Sequence, residues 1–104
     1  SAKKITLPKA TTKVTAKAKT DKTVVLSWKK VKGATGYLVY RSTKKNGSYQ
    51  RIAVLKKGTK CTYTDKKRLK KGMKYYYRIV TVKKKTYSPA KTTKAVKIKA
   101  AKIK

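Results

Sequence analysis

Hydrophobic and polar residues alternate along most of the chain, a pattern typical of strands with one face in a core and the other in solvent. Residues 12–19 (TKVTAKAK) place valine and alanine on one face and lysine and threonine on the other. After a turn at residues 21–22, Val24, Leu26 and Trp28 alternate in the same way. Both segments are therefore predicted to be half-buried strands.

The middle of the chain predicts a hairpin. Two strand-like segments, residues 37–42 and 49–55, flank the dipeptide Asn46–Gly47. Asparagine and glycine both tolerate a positive φ, so this dipeptide is typical of a tight hairpin turn. In the second of these strands, the alternation assigns Ile52 and Val54 to the core.

Three further strands are predicted in the second half of the chain. The first, within residues 59–65 (TKCTYTD), points Tyr63 inward and leaves Asp65 in the turn at its end. The second follows Gly72 and divides its side chains between two faces, with Tyr75, Tyr77 and Ile79 on one and Tyr76, Arg78 and Val80 on the other. The third runs from 90 to 99 and turns Val96 and Ile98 inward. Seven short strands without helical periodicity predict an all-β fold, a seven-stranded antiparallel β-sandwich of the immunoglobulin-like kind.

Four features of this pattern resemble a fibronectin type III domain. They are Trp28 at the end of the second strand, GYLVYR at residues 36–41, YTD at 63–65 and LKKGMKYYYRI at 69–79. The spacing of Leu69, Gly72 and Tyr75 matches the family's Leu-x-x-Gly-x-x-Tyr, which implies that Tyr75 is the tyrosine corner, bonded to the chain near Leu69. The resemblance covers residues 9–98, and residues 28–53 are most similar to the domains found in tandem in bacterial extracellular proteins.

The resemblance implies little chemistry. Bacterial members of the family look like spacers or accessory modules in surface proteins and secreted glycan-degrading enzymes, and the Arg-Gly-Asp of some animal members is absent here. We therefore expect a non-catalytic, monomeric domain of an extracellular or cell-wall-associated bacterial protein, with neighbouring domains in the same chain. The predicted structural core comprises Trp28, Tyr37, Tyr63, Leu69, Tyr75 and Tyr77.

Composition excludes the usual catalytic and metal sites. The chain has no histidine or glutamate, and its two carboxylates, Asp21 and Asp65, fall in separate predicted turns. Neither paired acid–base catalysis, nor a triad, nor a metal site can be assembled from these residues, and no glycine-rich phosphate loop is present. No enzymatic activity, metal or cofactor is expected. Cys61 is the single cysteine, so an internal disulfide is excluded, and both a small buried side chain and a free thiol stay open.

The ends of the chain predict linkers. Residues 1–9 and 100–104 flank a predicted domain at 10–99, and both ends contain a similar Ala-Lys-Ile motif, as expected for a module in a tandem array. No run of apolar residues is long enough to span a membrane. Since the N-terminus also lacks the apolar run of a signal peptide, we expect a mature segment of a longer protein.

Charge is the property that this fold does not require. The chain has 33 lysines and arginines against two acidic residues, a net charge of +31. Because such a charge destabilises the compact state, it predicts an offsetting benefit such as a polyanionic partner. Most of these residues are lysine, which suits diffuse contact with many anionic groups better than bidentate recognition of one. The alternative is that the lysines only keep the surface solvated.

The family topology brings three basic loops to one end of the sandwich. The predicted polyanion-binding residues there are Lys29, Lys30, Lys32, Lys56, Lys57, Lys60, Lys83, Lys84 and Lys85. The opposite end collects Lys22, Lys44, Lys45, Lys66, Lys67, Lys70 and Lys71. The expected partners are cell-wall teichoic acid and acidic or sulfated glycans. A nucleic-acid-binding basic domain is an alternative function, although binding to nucleic acid is expected to be non-specific, because counterion release requires only positive charge.

A second candidate site uses tyrosines. Tyr40, Tyr49, Tyr76 and Tyr87 are predicted to face outward, and Tyr40 and Tyr76 would lie side by side on adjacent strands. Exposed aromatic rings stack on sugars, which makes these two residues a candidate glycan-binding strip and the chain a candidate carbohydrate-binding module. The alternative is cross-strand packing beneath lysine stems.

Overall fold

The computed structural model describes residues 11, 13–20, 22–70, 72–84, 86–88, 90–93 and 96–97. Within these ranges the chain forms nine strands and no helix, hence no helix that could cross a membrane. The strands are β1 (Thr15–Thr20), β2 (Thr23–Ser27), β3 (Gly36–Ser42), β4 (Gln50–Leu55), β5 (Thr62–Asp65), β6 (Lys74–Lys83), β7 (Thr86–Tyr87), β8 (Lys91–Thr92) and β9 (Val96–Lys97).

The strands form two antiparallel sheets that enclose a common core. The smaller sheet has the order β1-β2-β5, and the larger sheet has the order β4-β3-β6, with β7, β8 and β9 each paired to the remaining edge of β6. The predicted antiparallel β-sandwich is thus confirmed. The strand count differs for two reasons. The last predicted strand, 90–99, is represented by two pieces of two residues each, β8 and β9, and β7 forms at residues 86–87, where the sequence predicts no strand.

Two side-chain hydroxyls interrupt this last edge. The N–H of Thr81 donates to Ser88 Oγ (2.8 Å), and the N–H of Tyr77 donates to Thr93 Oγ1 (3.1 Å). At both places a hydroxyl takes the position of a strand carbonyl as acceptor, while the N–H groups of Ser88 and Thr93 still donate to the carbonyls of Thr81 and Tyr77 (both 2.8 Å). A side chain thus completes the pairing, and the regular strand is interrupted at these two residues. The prediction of one strand from 90 to 99 is therefore wrong in its extent, and the predicted inward side chains of Val96 and Ile98 lie outside what the structure describes.

The core is built from the facing sides of the two sheets. Its buried hydrophobic cluster comprises Val24, Leu26, Trp28, Tyr37, Val39, Tyr75, Tyr77 and Ile79. Trp28 and Tyr37 meet edge to face, with ring centroids 5.4 Å apart, a contact of about 1 kcal/mol beyond the area that it buries. Tyr63 and Leu69 are half-buried and pack against the cluster.

A bulge in β4 overturns one core assignment. Val39 pairs with Ala53 and Tyr40 pairs with Arg51, so Ile52 has no partner in register. An extra residue of this kind inverts the alternation beyond it. Ile52 and Ala53 both pack against the core, while Val54 is 47% exposed. The assignment of Val54 to the core is therefore wrong.

The connection between β3 and β4 is a hairpin, as predicted, but its turn differs from the expected one. The N–H of Gly47 donates to the carbonyl of Lys44 (3.1 Å), so Lys45 and Asn46 are the central residues. Neither Asn46 nor Gly47 has a positive φ. Glycine in the fourth position is typical of a type I turn, in which no residue needs a positive φ. This turn lies within a longer loop between the two strands.

The tyrosine corner is present. The hydroxyl of Tyr75 accepts a hydrogen bond from the N–H of Lys70 (2.8 Å), one residue beyond Leu69. Between them Gly72 has a φ of 80°, which a residue with a Cβ adopts only with strain. The chain reversal before β6 is thus fixed by one glycine and one buried hydroxyl.

Candidate functional site

Three loops that carry lysine meet at one end of the sandwich, which we call the basic end. They join β2 to β3, β4 to β5, and β6 to β7. The described members of the predicted polyanion-binding set are all exposed there: Lys29, Lys30, Lys32, Lys56, Lys57, Lys60, Lys83 and Lys84. Lys85, the remaining member, lies outside the described residues.

The hydroxyl of Tyr37 holds two of these loops. It accepts a hydrogen bond from the N–H of Val31 (3.1 Å) and donates one to the carbonyl of Gly58 (2.9 Å). Burial raises the pKa of this hydroxyl, so it remains a neutral donor. Cys61, half-buried beside it, has its Sγ 3.9 Å from the same oxygen. One core side chain therefore sets the separation of the first two loops.

Thr35 holds the third loop. Its N–H and its hydroxyl both donate to the carbonyl of Val82, at 2.7 and 3.2 Å, and its hydroxyl accepts from the N–H of Lys84 (2.9 Å). Gly58 packs so closely against Ala34 that a Cβ at this glycine would overlap the Ala34 carbonyl oxygen. The backbones that carry the lysines are thus connected to one another.

No carboxylate screens the lysines of the basic end among the described residues. Asp65, the only described acidic residue, is fully buried near the opposite end of the sandwich, and Asp21 lies outside the described residues. The opposite end is also positive, with exposed Lys22, Lys44, Lys45, Lys66, Lys67 and Lys70, while Lys71 lies outside the described residues. The arrangement provides two cationic ends, and the basic end carries more of the exposed lysines.

The sequence predicts Asp65 in a turn. In the structure it is instead the last residue of β5. Its carboxylate accepts hydrogen bonds from Arg41 Nη1 (2.8 Å), the Tyr77 hydroxyl (2.7 Å) and the N–H of Lys67 (3.0 Å). Burial and, next, the bond to Asp65 raise the pKa of the Tyr77 hydroxyl. A carboxylate enclosed in this way is structural. The described residues also contain no cluster of side chains able to hold a metal ion.

Tyr40 and Tyr76 lie on the outer face of the larger sheet, but they are not directly opposed. Tyr40 pairs with Arg78, whereas Tyr76 pairs with Ser42, which makes the two tyrosines diagonal neighbours. Both are half-buried. The Arg78 guanidinium lies 3.9 Å from the centre of the Tyr49 ring. The arrangement matches the packing alternative more closely than an open stacking strip.

Two cavities lie on this outer face. One, of about 290 Å³, is lined by Tyr40, Tyr49, Arg78, Val80 and Ala90, and Tyr76 is not part of it. The other, of about 310 Å³, is flanked by Val54 and Tyr87, the latter 53% exposed. The sequence predicts which tyrosines face outward, but it does not predict the second cavity. That cavity depends on the bulge in β4, which turns Val54 outward.

Comparison with known proteins gives a family and a set of relatives. The model of the fibronectin type III domain matches residues 8–96. An amylopullulanase of Thermoanaerobacterium saccharolyticum is 40% identical over 78 residues, which are 75% of this chain and 6% of that protein. An amylopullulanase of Thermoanaerobacter thermohydrosulfuricus is 44% identical over 59 residues, 57% of this chain and 4% of that protein. The chain thus spans a small fraction of these relatives.

Solved structures show the same architecture. A fibronectin type III-like protein from Clostridium thermocellum superposes with a TM-score of 0.76 and 27% identity, covering 94% of this chain and 100% of that one. The fibronectin type III domain of the human collagen alpha-1(XX) chain gives a TM-score of 0.79 at 13% identity, covering 100% of this chain and 98% of that one. The second likeness is one of fold alone.

Proposed function

The chain belongs to the fibronectin type III family, and from this premise we propose that it is a non-catalytic module that spaces neighbouring domains in a secreted or surface-attached multidomain bacterial protein. The small share of each amylopullulanase that it matches supports this role. Residues 10–99 form the module in this proposal, with residues 1–9 and 100–104 as linkers in a tandem array.

The course of the chain through the sandwich supports a spacer. β1 begins beside the basic end, where Thr15 pairs with Ser27, and β9 lies at the opposite end, where Lys97 pairs with Lys74. Domains joined before β1 and after β9 would therefore be held apart by the length of the sandwich. A catalytic role has no support, because the one described carboxylate is enclosed.

We further propose that the lysines hold the parent protein to anionic polymers, such as cell-wall teichoic acid or acidic and sulfated glycans. The observation that carries this proposal is the grouping of exposed lysines on three loops, of which the β2–β3 loop is connected to each of the other two, with no described carboxylate among them. Fixed loops lose less conformational entropy when they bind, and each contacted anion releases counterions. The solubilising alternative requires no such grouping.

The test is binding of the chain to teichoic acid, a sulfated glycan, duplex DNA and a neutral glucan, each from about 0.05 to 0.5 M NaCl. A basic-end variant replaces Lys30, Lys32, Lys57 and Lys60 by glutamine. A matched control replaces Lys44, Lys45, Lys66 and Lys70, which removes the same charge from the opposite end.

The proposal expects one anionic polymer to stay bound near physiological salt, and its affinity to fall about tenfold more in the basic-end variant than in the control. Equal losses in the two variants, with all polyanions released together, would leave the chain a spacer with a generic charge. Duplex DNA retained at the highest salt would instead favour the nucleic-acid alternative. Retention of the neutral glucan alone would favour a carbohydrate-binding module.

A further inference from the structure

A second surface, distinct from the lysine loops in its chemistry, lies on the outer face of the larger sheet. It is a groove of about 310 Å³ near the basic end, flanked by Val54 on one side and Tyr87 on the other. We call it the Tyr87 groove. Its volume is at the lower end of ligand pockets, which span about 300–1,000 Å³.

The floor of the Tyr87 groove is apolar. Val54 pairs with Leu38 across β4 and β3, and Tyr87 pairs with Val82 across β7 and β6. Gly36, which pairs with Val82, adds no side chain between these two pairs. The floor is therefore a shallow hollow of aliphatic side chains with one aromatic ring at its edge.

Two large apolar side chains are exposed on this surface, and packing within the described residues does not cover them. Val54 is 47% and Tyr87 53% exposed, and Met73 is the only other large hydrophobic residue exposed in the described ranges. Two of the three thus flank a single groove, in a chain of net charge +31. Apolar side chains that converge on a concave site surrounded by polar surface are typical of a binding site.

An uncommitted arginine lines the same groove. Arg41 is bonded to Asp65, and the Nε of Arg78 donates to Thr92. Arg51, by contrast, is exposed and forms no hydrogen bond or ion pair with any described residue. A guanidinium presents parallel N–H donors that match a carboxylate, which a lysine does not. Lys56 adds a second positive charge to the lining.

We propose that the Tyr87 groove binds a uronic-acid unit of an anionic polysaccharide. The C–H face of the pyranose ring packs on Tyr87 and Val54, and the carboxylate of the sugar is bound by Arg51 with Lys56 beside it. Charge complementarity selects this occupant over a neutral glycan, and the apolar floor selects it over a bare anion. The site goes beyond the proposed adhesion through the lysine loops and does not depend on it.

The test is an NMR titration of the chain at about 0.15 M NaCl, where exposed charges more than about 8 Å apart are screened. The probes are tetragalacturonate (ring and carboxylate), maltotetraose (ring alone) and tripolyphosphate (anion alone). The expected result is that tetragalacturonate shifts the resonances of Leu38, Val54, Val82 and Tyr87, and that the other two probes bind the groove at least about fivefold more weakly, a difference of about 1 kcal/mol.

Two variants and two matched controls assign the contacts. Tyr87→Ala and Arg51→Gln are each expected to weaken tetragalacturonate binding about fivefold or more, as for loss of one charge-assisted bond or one packing face. Arg68→Gln removes the same charge at the opposite end and is expected to change binding less than twofold. Tyr87→Phe retains the ring and is expected to retain binding. Tyr87 and Arg51 are both exposed, so their replacement is expected to leave the fold intact. Unchanged dispersion of the NMR resonances verifies that each variant is folded.

Any of four results would overturn the proposal. The first two are resonance shifts of the groove with tripolyphosphate equal to those with tetragalacturonate, and binding of maltotetraose as tight as that of tetragalacturonate. The other two are equal losses of affinity in Arg51→Gln and Arg68→Gln, and groove resonances that respond to none of the three probes. The basic-end variant retains both Arg51 and Lys56, so failure of the lysine-loop proposal would leave the groove titration unchanged, and the two failures are distinguishable.

Discussion

Arg41 and Asp65 belong to opposite sheets of the sandwich, and their side chains form an ion pair of 2.8 Å within it. The carboxylate is fully buried, whereas the arginine side chain is 19% exposed. The Tyr77 hydroxyl donates to the same carboxylate from β6. The one described acidic residue of this basic chain therefore joins the two sheets.

Replacing Asp65 by alanine is expected to lower the free energy of unfolding by about 3–5 kcal/mol. The change removes the buried carboxylate that Arg41 and the Tyr77 hydroxyl share, and Arg41 keeps only its hydrogen bond to the carbonyl of Lys67 (2.6 Å). Urea denaturation followed by Trp28 fluorescence measures the change. Asp65→Asn is the matched variant, since it retains a hydrogen-bond acceptor, and it is expected to cost less. A loss below about 1 kcal/mol in Asp65→Ala would show that the pair contributes little.

Replacing Tyr75 by phenylalanine is expected to lower the free energy of unfolding by about 1 kcal/mol, because the N–H of Lys70 loses its acceptor while the ring still packs. Tyr87→Phe is the control, since the Tyr87 ring is exposed and no described residue bonds its hydroxyl. Equal stability of the two variants in urea would contradict a contribution from the tyrosine corner.

Alkaline pH is expected to destabilise the protein through its buried tyrosines. Burial raises the pKa of Tyr37, Tyr63 and Tyr77 above the ordinary value of 10.0. A raised folded-state pKa contributes stability that is complete below the unfolded pKa, near 10.0, and is lost as the pH rises from there towards the folded pKa. Absorbance at 295 nm, which measures tyrosinate, is expected to show a group of tyrosines that lose their protons at a higher pH than the others. We call this the late group.

In Tyr77→Phe, this late group is expected to shrink and the alkaline loss of stability to become smaller. The comparison is made between variant and parent at each pH, so that effects of pH on the rest of the chain are common to both. Titration of all tyrosines together near 10.0 in the folded chain would contradict the prediction.

Replacing Gly58 by alanine is expected to destabilise the protein by about 1–3 kcal/mol, because the new Cβ overlaps the Ala34 carbonyl oxygen and must separate two loops of the basic end. Gly72→Ala is the comparison variant: its position is open but has a φ of 80°, so its cost is backbone strain alone, about 1 kcal/mol. Thermal denaturation measures both. Weaker polyanion binding in Gly58→Ala alone would link the loop geometry to the proposed adhesion.

Local patterns predicted much of this fold. The strands follow from alternation, and the tyrosine corner follows from the spacing of Leu69, Gly72 and Tyr75, because each is set by residues close in sequence. The exposure of Val54 could not be predicted in this way. The bulge at Ile52 is defined by the pairing of β4 with β3, so the alternation of residues within β4 does not predict it.

The candidate sites also differ in whether local sequence or tertiary pairing determines them. Loop lysines at the basic end could be grouped once the order of strands was assumed, because exposed loop positions need no packing detail. The partners of Asp65 could not be predicted, since Arg41 lies 24 residues away and reaches it across the sandwich. The Tyr87 groove also depends on tertiary pairing, because its sides come from β4 and β7, which are not adjacent in the sheet.

The hydroxyls of Ser88 and Thr93 have a consequence for how copies of this module coexist. The strand beside β6 is divided at these residues into segments of two residues, so the described part of this border of the larger sheet has no long row of regularly spaced backbone donors and acceptors. Pairing between the edge strands of two molecules is a usual first step towards aggregation of β-proteins. An extended strand from another molecule cannot pair with such a border along its whole length. This border of the larger sheet is therefore a poor template for strand pairing between copies of the chain.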